Sequence, residues 1–433
     1  MTAVTASAGK AVRRVGRRRI VVAGWLLAAA WAAVFPLVST LDTHRVWGTF
    51  AAAGYVGAAL ASCLLPRPRA RTWAVGCALL GALVLPLTYL LLTGNGQSEV
   101  AVIERSAQLM VSQATPYLAD PQTVRDYNPY LPGMALFGLP RTLLGDTGPA
   151  RLLGDARVWC AAVFLLSLWA GRRVLAADGR TVRAASRPAS GMPLAVLIAS
   201  PVVALPLCVS GVDLPMTGLC CLGLALAASR RPAAAGLVLA AACSLKWTAW
   251  PALAVAVALL AASGGARRAL RCAVVAAAGT LAVVLPGALL SPGPMFQQVL
   301  AFPTGRAPVA TPAASPLPGR LLADLGPVGW YTAVALLLCG GAAVAVSLVV
   351  RPPAGVVAAA DRLALGLCAA FLLAPAGRFG YLALPLVLVV WPRTVAASRR
   401  TGAPTSPRRA VPGPAVPGRR ASAAPAVPAG GAR

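Results

Sequence analysis

One histidine, two lysines and eleven acidic residues occur among the 433 positions, and only 12% of the chain is charged. A soluble domain usually carries about 25% charged residues, so this composition cannot clothe a water-facing surface. The ten cysteines form no CxxC pair, and none lies near the single histidine, His44. They read as small packing residues rather than disulfides or metal ligands. No dense ligand cluster stands out, so no cofactor is called for and a divalent metal stays open.

What is present is long apolar runs. The chain is 58% hydrophobic, and runs of about 20 residues, each able to cross a bilayer as a helix, recur along most of its length. Backbone polar groups in lipid must be satisfied within the segment, which predicts an all-α polytopic integral membrane protein. The first run, 20–41, is longer than a signal-peptide core and reads as a retained helix.

The net charge of +28 has a membrane explanation. Six basic residues lie between Lys10 and Arg19, and eight arginines between Arg393 and Arg433, without an acid in either stretch. Such flanks mark the cytoplasmic side and suit anionic lipid rather than nucleic acid. Both termini are therefore expected in the cytoplasm. The Pro/Ala/Arg-rich tail 393–433 is expected to be disordered.

Apolar spans are read at 20–41, 47–65, 72–93, 155–171, 191–208, 214–229, 272–290, 327–350, 356–374 and 379–392. Between Arg230-Arg231 and Arg267-Arg268 lies a stretch too long for one span, with both ends cytoplasmic by charge. It predicts a hairpin of two short helices, 233–245 and 247–263, with Lys246 at the turn, inside the protein and near the outer side. This makes about twelve helices in all. Loop 94–154 then falls outside. Val100, Ile103, Ala107 and Met110 recur there at helical spacing, predicting an interfacial amphipathic helix of about four turns. The apolar run 130–144 is short enough to read as a re-entrant helix.

Nine of the eleven acids map to the outer face or its edge, among them Glu99, Glu104, Asp126 and Asp213. Carboxylates beside apolar helices are costly to bury and are functional candidates by default. A lysine between two half-helices likewise needs a partner.

At these residues the sequence resembles glycosyltransferase family 87. Glu99, Ala107 and Pro116-Tyr117 follow the family's first-loop pattern, with glutamate where that pattern usually has aspartate. "YNPYLPGMALFGLP" (127–140), "VSGVDLPMTG" (209–218), "LKWTAWPAL" (245–253) and "APAGRFGYLALPL" (374–386) are similar to its later segments, in order. The resemblance runs from about residue 72 to 392. It implies a GT-C-like helical bundle preceded by two leading helices (20–71), with a large first outer loop. It also implies an inverting, mannosyltransferase-like reaction, in which a hexose passes from a polyprenyl-phosphate donor to a hydroxyl of a glycolipid or cell-wall glycan at the outer face of the plasma membrane.

That chemistry assigns roles. Glu99 is the candidate general base, with Glu104 second. Lys246 and Arg378 are candidates for the donor phosphate. Asp126, Tyr127, Asp213 and Tyr381 are candidates for substrate binding. Each also has a plainer reading: Asp126 as a turn residue, Asp213 as a helix start, and Tyr127, Tyr130 and Tyr381 as an aromatic belt. A transporter or lipid-linked sugar flippase would also want broken helices and intramembrane charge. The identities of sugar and acceptor are open.

Overall fold

The computed structural model describes residues 2–177 and 191–400. Helix dominates them, and the one β contact among them is an isolated parallel bridge between Ala314 and Gly377. The first helices are α1 (Thr2–Val38), α2 (Asp42–Leu64), α3 (Arg67–Leu79) and α4 (Leu85–Leu92), the last two joined by a π-turn at Leu80–Val84. Loop 94–154 carries α5 (Ser98–Gln113), a 3₁₀ turn at Pro132–Phe137, α6 (Leu139–Leu144) and α7 (Gly148–Gly154). The bundle continues as α8 (Ala156–Ala177), α9 (Met192–Ala199), α10 (Pro201–Val209), α11 (Leu214–Ala228), α12 (Pro232–Leu245), α13 (Trp250–Gly264) and α14 (Ala266–Leu290). After the short α15 (Pro292–Met295) and α16 (Pro318–Ala323) come α17 (Pro327–Val350), α18 (Val356–Leu373) and α19 (Ala383–Arg400).

Among the described residues, eight helices are long and apolar enough to cross a membrane, and the bent pair α9–α10 meets the same test when its two helices are taken together. Three shorter apolar helices (Leu214–Ala228, Pro232–Leu245 and Phe379–Val395) accompany them. The chain is an all-α polytopic membrane protein, and the segments follow those read from the apolar runs. The differences are local. The basic N-terminal stretch is helical and continuous with the first span. The second span begins at Asp42 rather than 47. The stretch 191–208 is two helices meeting at 62° across Ser200-Pro201. The last helix runs to Arg400, eight residues into the expected tail; the remainder, 401–433, and the basic loop with Arg180, Arg183 and Arg187 lie outside the described residues.

The helix irregularities have identifiable causes. Pro86 cannot donate to the carbonyl of Ala82, and the indole of the fully buried Trp47 bonds that carbonyl at 2.8 Å. The break at Ser200-Pro201 frees the carbonyl of Ala199, which the Tyr55 hydroxyl takes at 2.7 Å. These two bonds seat α2 against the π-turn and the bent pair. Gly54 and Gly81 let α2 and the π-turn approach until a Cβ on Gly81 would lie 2.4 Å from the Gly54 Cα, the small-residue contact expected where lipid supplies no hydrophobic drive for helix association.

One apolar core lies among α8, α11, α12, α13, α18 and α19, and a second joins α1–α4 to α10. Alternation of the spans brings residues near 42, 94–154, 209–213, 246, 291–326 and 374–382 to one end of the bundle, hereafter the loop end.

Candidate active site

The break between α12 and α13 builds the centre of the loop end. Lys246 is extended (φ −157°, ψ 137°), and a 3₁₀ turn at Trp247–Ala249 leads into α13, whose second residue is Pro251. Ending α12 here leaves its last carbonyls unpaired. The Leu131 N–H bonds Leu245 at 2.9 Å, and the Trp250 indole bonds Cys243 at 3.1 Å. Gly133 packs on Ser244 so closely that a Cβ would meet its Oγ at 2.5 Å. The "YNPYLPG" segment is thus a cap for the broken helix. Tyr117 and Gln298 hold it from behind: the Tyr117 hydroxyl bonds the Tyr130 carbonyl at 2.9 Å, and Gln298, fully buried, accepts from the Asn128 N–H at 3.0 Å.

Lys246 Nζ donates to Asp213 Oδ1 at 2.7 Å. It also sits 5.3 Å from the ring centre of Tyr130 and 5.0 Å from that of Tyr381, within cation–π range. Asp213 occupies the turn between α10 and α11. A second ion pair joins Arg378 Nη1 to Glu99 Oε1 at 2.5 Å. Burial opposes the charge on Arg378, but Glu99 and Tyr381 beside it hold the guanidinium above its ordinary range.

Both members of this second pair are positioned by backbone contacts. Glu99 lies in the first turn of α5, where a carboxylate is favourable. The start of α5 is tied down by the Gln97 N–H on Val209 O at 3.0 Å. Behind it the buried Arg157 makes two bonds to Asp155, at 2.9 and 2.7 Å, and bonds the carbonyls of Asn95 and Cys208 at 2.8 and 3.2 Å. Arg378 follows Gly377, which pairs with Ala313 and Ser315 through bonds of 2.9 and 3.0 Å.

Two cavities meet at these groups. One, about 400 Å³, is lined by Trp247, Trp250, Phe302, Leu337, Leu367 and Phe371, with Lys246 and Tyr127 on its wall. The other, about 900 Å³, is the more polar of the two: Thr40, Asp42, Asn95, Gln97, Ser210 and Asp213 line it beside apolar residues such as Leu41, Val212 and Leu384. Glu99, Tyr130, Arg378 and Tyr381 line both, whereas Lys246 faces only the apolar cavity and Asp213 only the polar one. The ion pairs therefore bridge the wall between an apolar and a polar space.

Seven of the sequence candidates converge here or at the rim: Glu99, Lys246, Arg378, Asp213, Tyr381, Tyr130 and Tyr127. Two do not line either cavity. Glu104 bonds Arg141 at 3.3 Å and the Ala156 N–H at 3.3 Å, and burial holds its carboxyl above the ordinary range while Arg141 pulls it down. Asp126 closes its own turn by accepting from the Thr123 N–H and hydroxyl, each at 2.8 Å, and faces Arg105 at 3.6 Å. Those bonds, from Thr123 first, lower its pKa.

Sequence reasoning missed Arg157, masked among many arginines, and the segment 291–326. The latter brings Phe302, stacked at 4.3 Å on Tyr127, and the strand-like contact to Gly377. Its Pro/Ala-rich composition was the available signal. His44 sits in the first turn of α2 and lines the polar cavity. Among the described residues no group of three His, Cys, Asp or Glu is placed to hold a metal ion.

Residues 128–375, more than half of the chain, match the model of glycosyltransferase family 87. The chain belongs to glycosyltransferase family 87. It is accordingly a membrane glycosyltransferase, acting on a sugar donor and an acceptor. The family segment contains Tyr130, Asp213 and Lys246; Glu99, Arg378 and Tyr381 lie beyond its two ends and are joined to it by the fold. No curated protein and no solved structure matches the chain.

Proposed function

We propose that this enzyme transfers a hexose, mannose by the family resemblance, from a polyprenyl-phosphate donor to a hydroxyl of a glycolipid or cell-wall glycan. Residues 72–392 form its catalytic part. The loop end faces outward across the plasma membrane and the basic termini face the cytoplasm, in keeping with the excess of arginine at the opposite end. One observation carries the reading: an apolar cavity and a polar cavity share a wall made of Glu99, Arg378, Tyr130 and Tyr381. A donor with a lipid tail and an acceptor that presents sugar hydroxyls need just such a pair of spaces.

The donor enters the apolar side with its phosphate at Lys246 and Arg378. The acceptor approaches from the polar side. Its hydroxyl oxygen attacks the anomeric carbon opposite the phosphate, so one carbon–oxygen bond forms as the other breaks and the configuration inverts. Glu99 takes the hydroxyl proton, and the leaving phosphate keeps the bonding electrons. Protonating Glu99 weakens its hold on Arg378 at the moment when charge builds on the phosphate, so the guanidinium becomes available where it is needed. Tyr130 and Tyr381 orient the lysine through their ring faces, and Asp213 keeps it charged and aimed.

The test uses purified enzyme in lipid, radiolabelled polyprenyl-phosphate-mannose and an acceptor-lipid extract. Glu99→Gln is expected to cut transfer by about 10²-fold or more while donor binding persists. Undiminished transfer in Glu99→Gln would remove the base assignment, and absence of transfer by the wild type would remove the donor.

A further inference from the structure

The polar cavity extends well past the groups used above, to the turn between α1 and α2. Thr40, Asp42, Thr43 and His44 line it there. This hairpin precedes the segment shared with the family model. Three observations on the page bear on what it does.

First, the cavity is large. About 900 Å³ is near the top of the range for small-molecule sites, and more than one sugar ring is needed to fill it. Second, His44 Nδ1 is shielded from solvent and meets no hydrogen-bond partner in the protein. Buried polar atoms of native proteins are nearly always paired; Nδ1 is closed off, but His44 itself lines the cavity, so the rest of its imidazole edge is the group that meets a ligand there. The His44 ring is held against Phe35, with centres 5.6 Å apart, so its edge is fixed. Third, His44, Glu99 and Arg378 line one and the same cavity, so a ligand that reaches the transfer point can extend to His44.

From these we infer that the α1–α2 turn is an acceptor subsite, with His44 as its hydrogen-bonding residue, and that it binds the second or third sugar of an oligosaccharide acceptor. The chemical class follows from the lining. Sugar hydroxyls donate and accept at once, and this wall alternates carboxylate, hydroxyl and imidazole groups over adjacent residues. The assignment deepens the transferase reading and rests on it for the word acceptor. The binding itself requires no transfer.

The experiment measures binding of methyl α-mannoside and the corresponding di- and trisaccharide to the full-length protein in lipid nanodiscs, without donor. Wild type is expected to bind more tightly as the glycan lengthens. His44→Phe keeps the ring on Phe35 but removes both nitrogens, and is expected to weaken trisaccharide binding by about three- to tenfold with the monosaccharide unaffected. His44→Gln, which restores a hydrogen-bonding group, is expected to recover part of the loss. A second probe leaves His44 intact: Thr40→Cys is expected to be protected from maleimide by the trisaccharide and not by the monosaccharide. Equal affinities across the series, or equal length dependence in His44→Phe and wild type, would overturn the subsite. So would unprotected Thr40→Cys. Length-dependent binding by a protein that transfers no label would instead overturn the transferase chemistry and leave the subsite standing.

Discussion

Lys246 and Asp213 lie thirty-three positions apart in sequence and touch at 2.7 Å, with side chains 13% and 20% exposed. Removing one partner from a largely buried pair leaves the other charge unpaired, which is worse than losing both. Lys246→Ala and Asp213→Ala are therefore expected to be non-additive, with a coupling of about 1–3 kcal/mol in a double-mutant cycle of unfolding in mixed micelles; additive effects would mean that the pair is not formed. Lys246→Ala should also weaken donor binding, whereas Asp213→Asn should chiefly alter its pH and salt dependence. Asp126 belongs to the same scale but to stability. Its folded pKa is depressed, so its contribution is present above the unfolded value near pH 3.9 and is lost as pH falls through the lower folded value. Proteolysis within 120–127 should be faster in Asp126→Asn than in wild type at pH 7, and the two should converge only as pH falls through that lower folded value. Sequence alone singled out these charges because they are rare in an apolar chain. It could not pair them, since the pairing depends on which helix ends meet.

At the level of elements, the broken helix was legible from its length and from Arg230-Arg231 and Arg267-Arg268 at its two ends. Its cap was not, because the Leu131–Leu245 bond and the Gly133–Ser244 contact join segments more than a hundred residues apart. Gly133 carries a prediction. A Cβ there would lie 2.5 Å from Ser244 Oγ and 2.8 Å from Ser244 O, two residues before Lys246. Gly133→Ala is expected to lower transfer by about ten- to a hundredfold through displacement of that tip, with helix content by circular dichroism unchanged. Adding Ser244→Ala should not restore it, because the backbone carbonyl still clashes; full restoration would show that only the hydroxyl was in the way. The bend at Ser200-Pro201 was hidden for a different reason. Proline is tolerated in membrane helices wherever neighbours satisfy the freed backbone groups, and that neighbour, Tyr55, is supplied by α2.

For the whole molecule, charge bias predicts opposite exposure of the two ends. In intact cells a membrane-impermeant maleimide should label Gln122→Cys and not Arg267→Cys, in a background with Cys63 and Cys339 replaced by serine; the reverse pattern would invert the orientation. The sequence by itself determined that the chain lives in a bilayer, roughly where it crosses, and which few polar residues had to have a purpose. Hydrophobic transfer and backbone satisfaction are local and act on each segment separately, so apolar run lengths suffice to read them. Only the tertiary structure decided that Glu99 faces Arg378, that Lys246 faces Asp213, and that these pairs stand between an apolar and a polar cavity. Such juxtapositions arise from helix packing and from the carbonyls left open at the breaks before α4, α10 and α13, each closed by a side chain or backbone group from elsewhere in the chain.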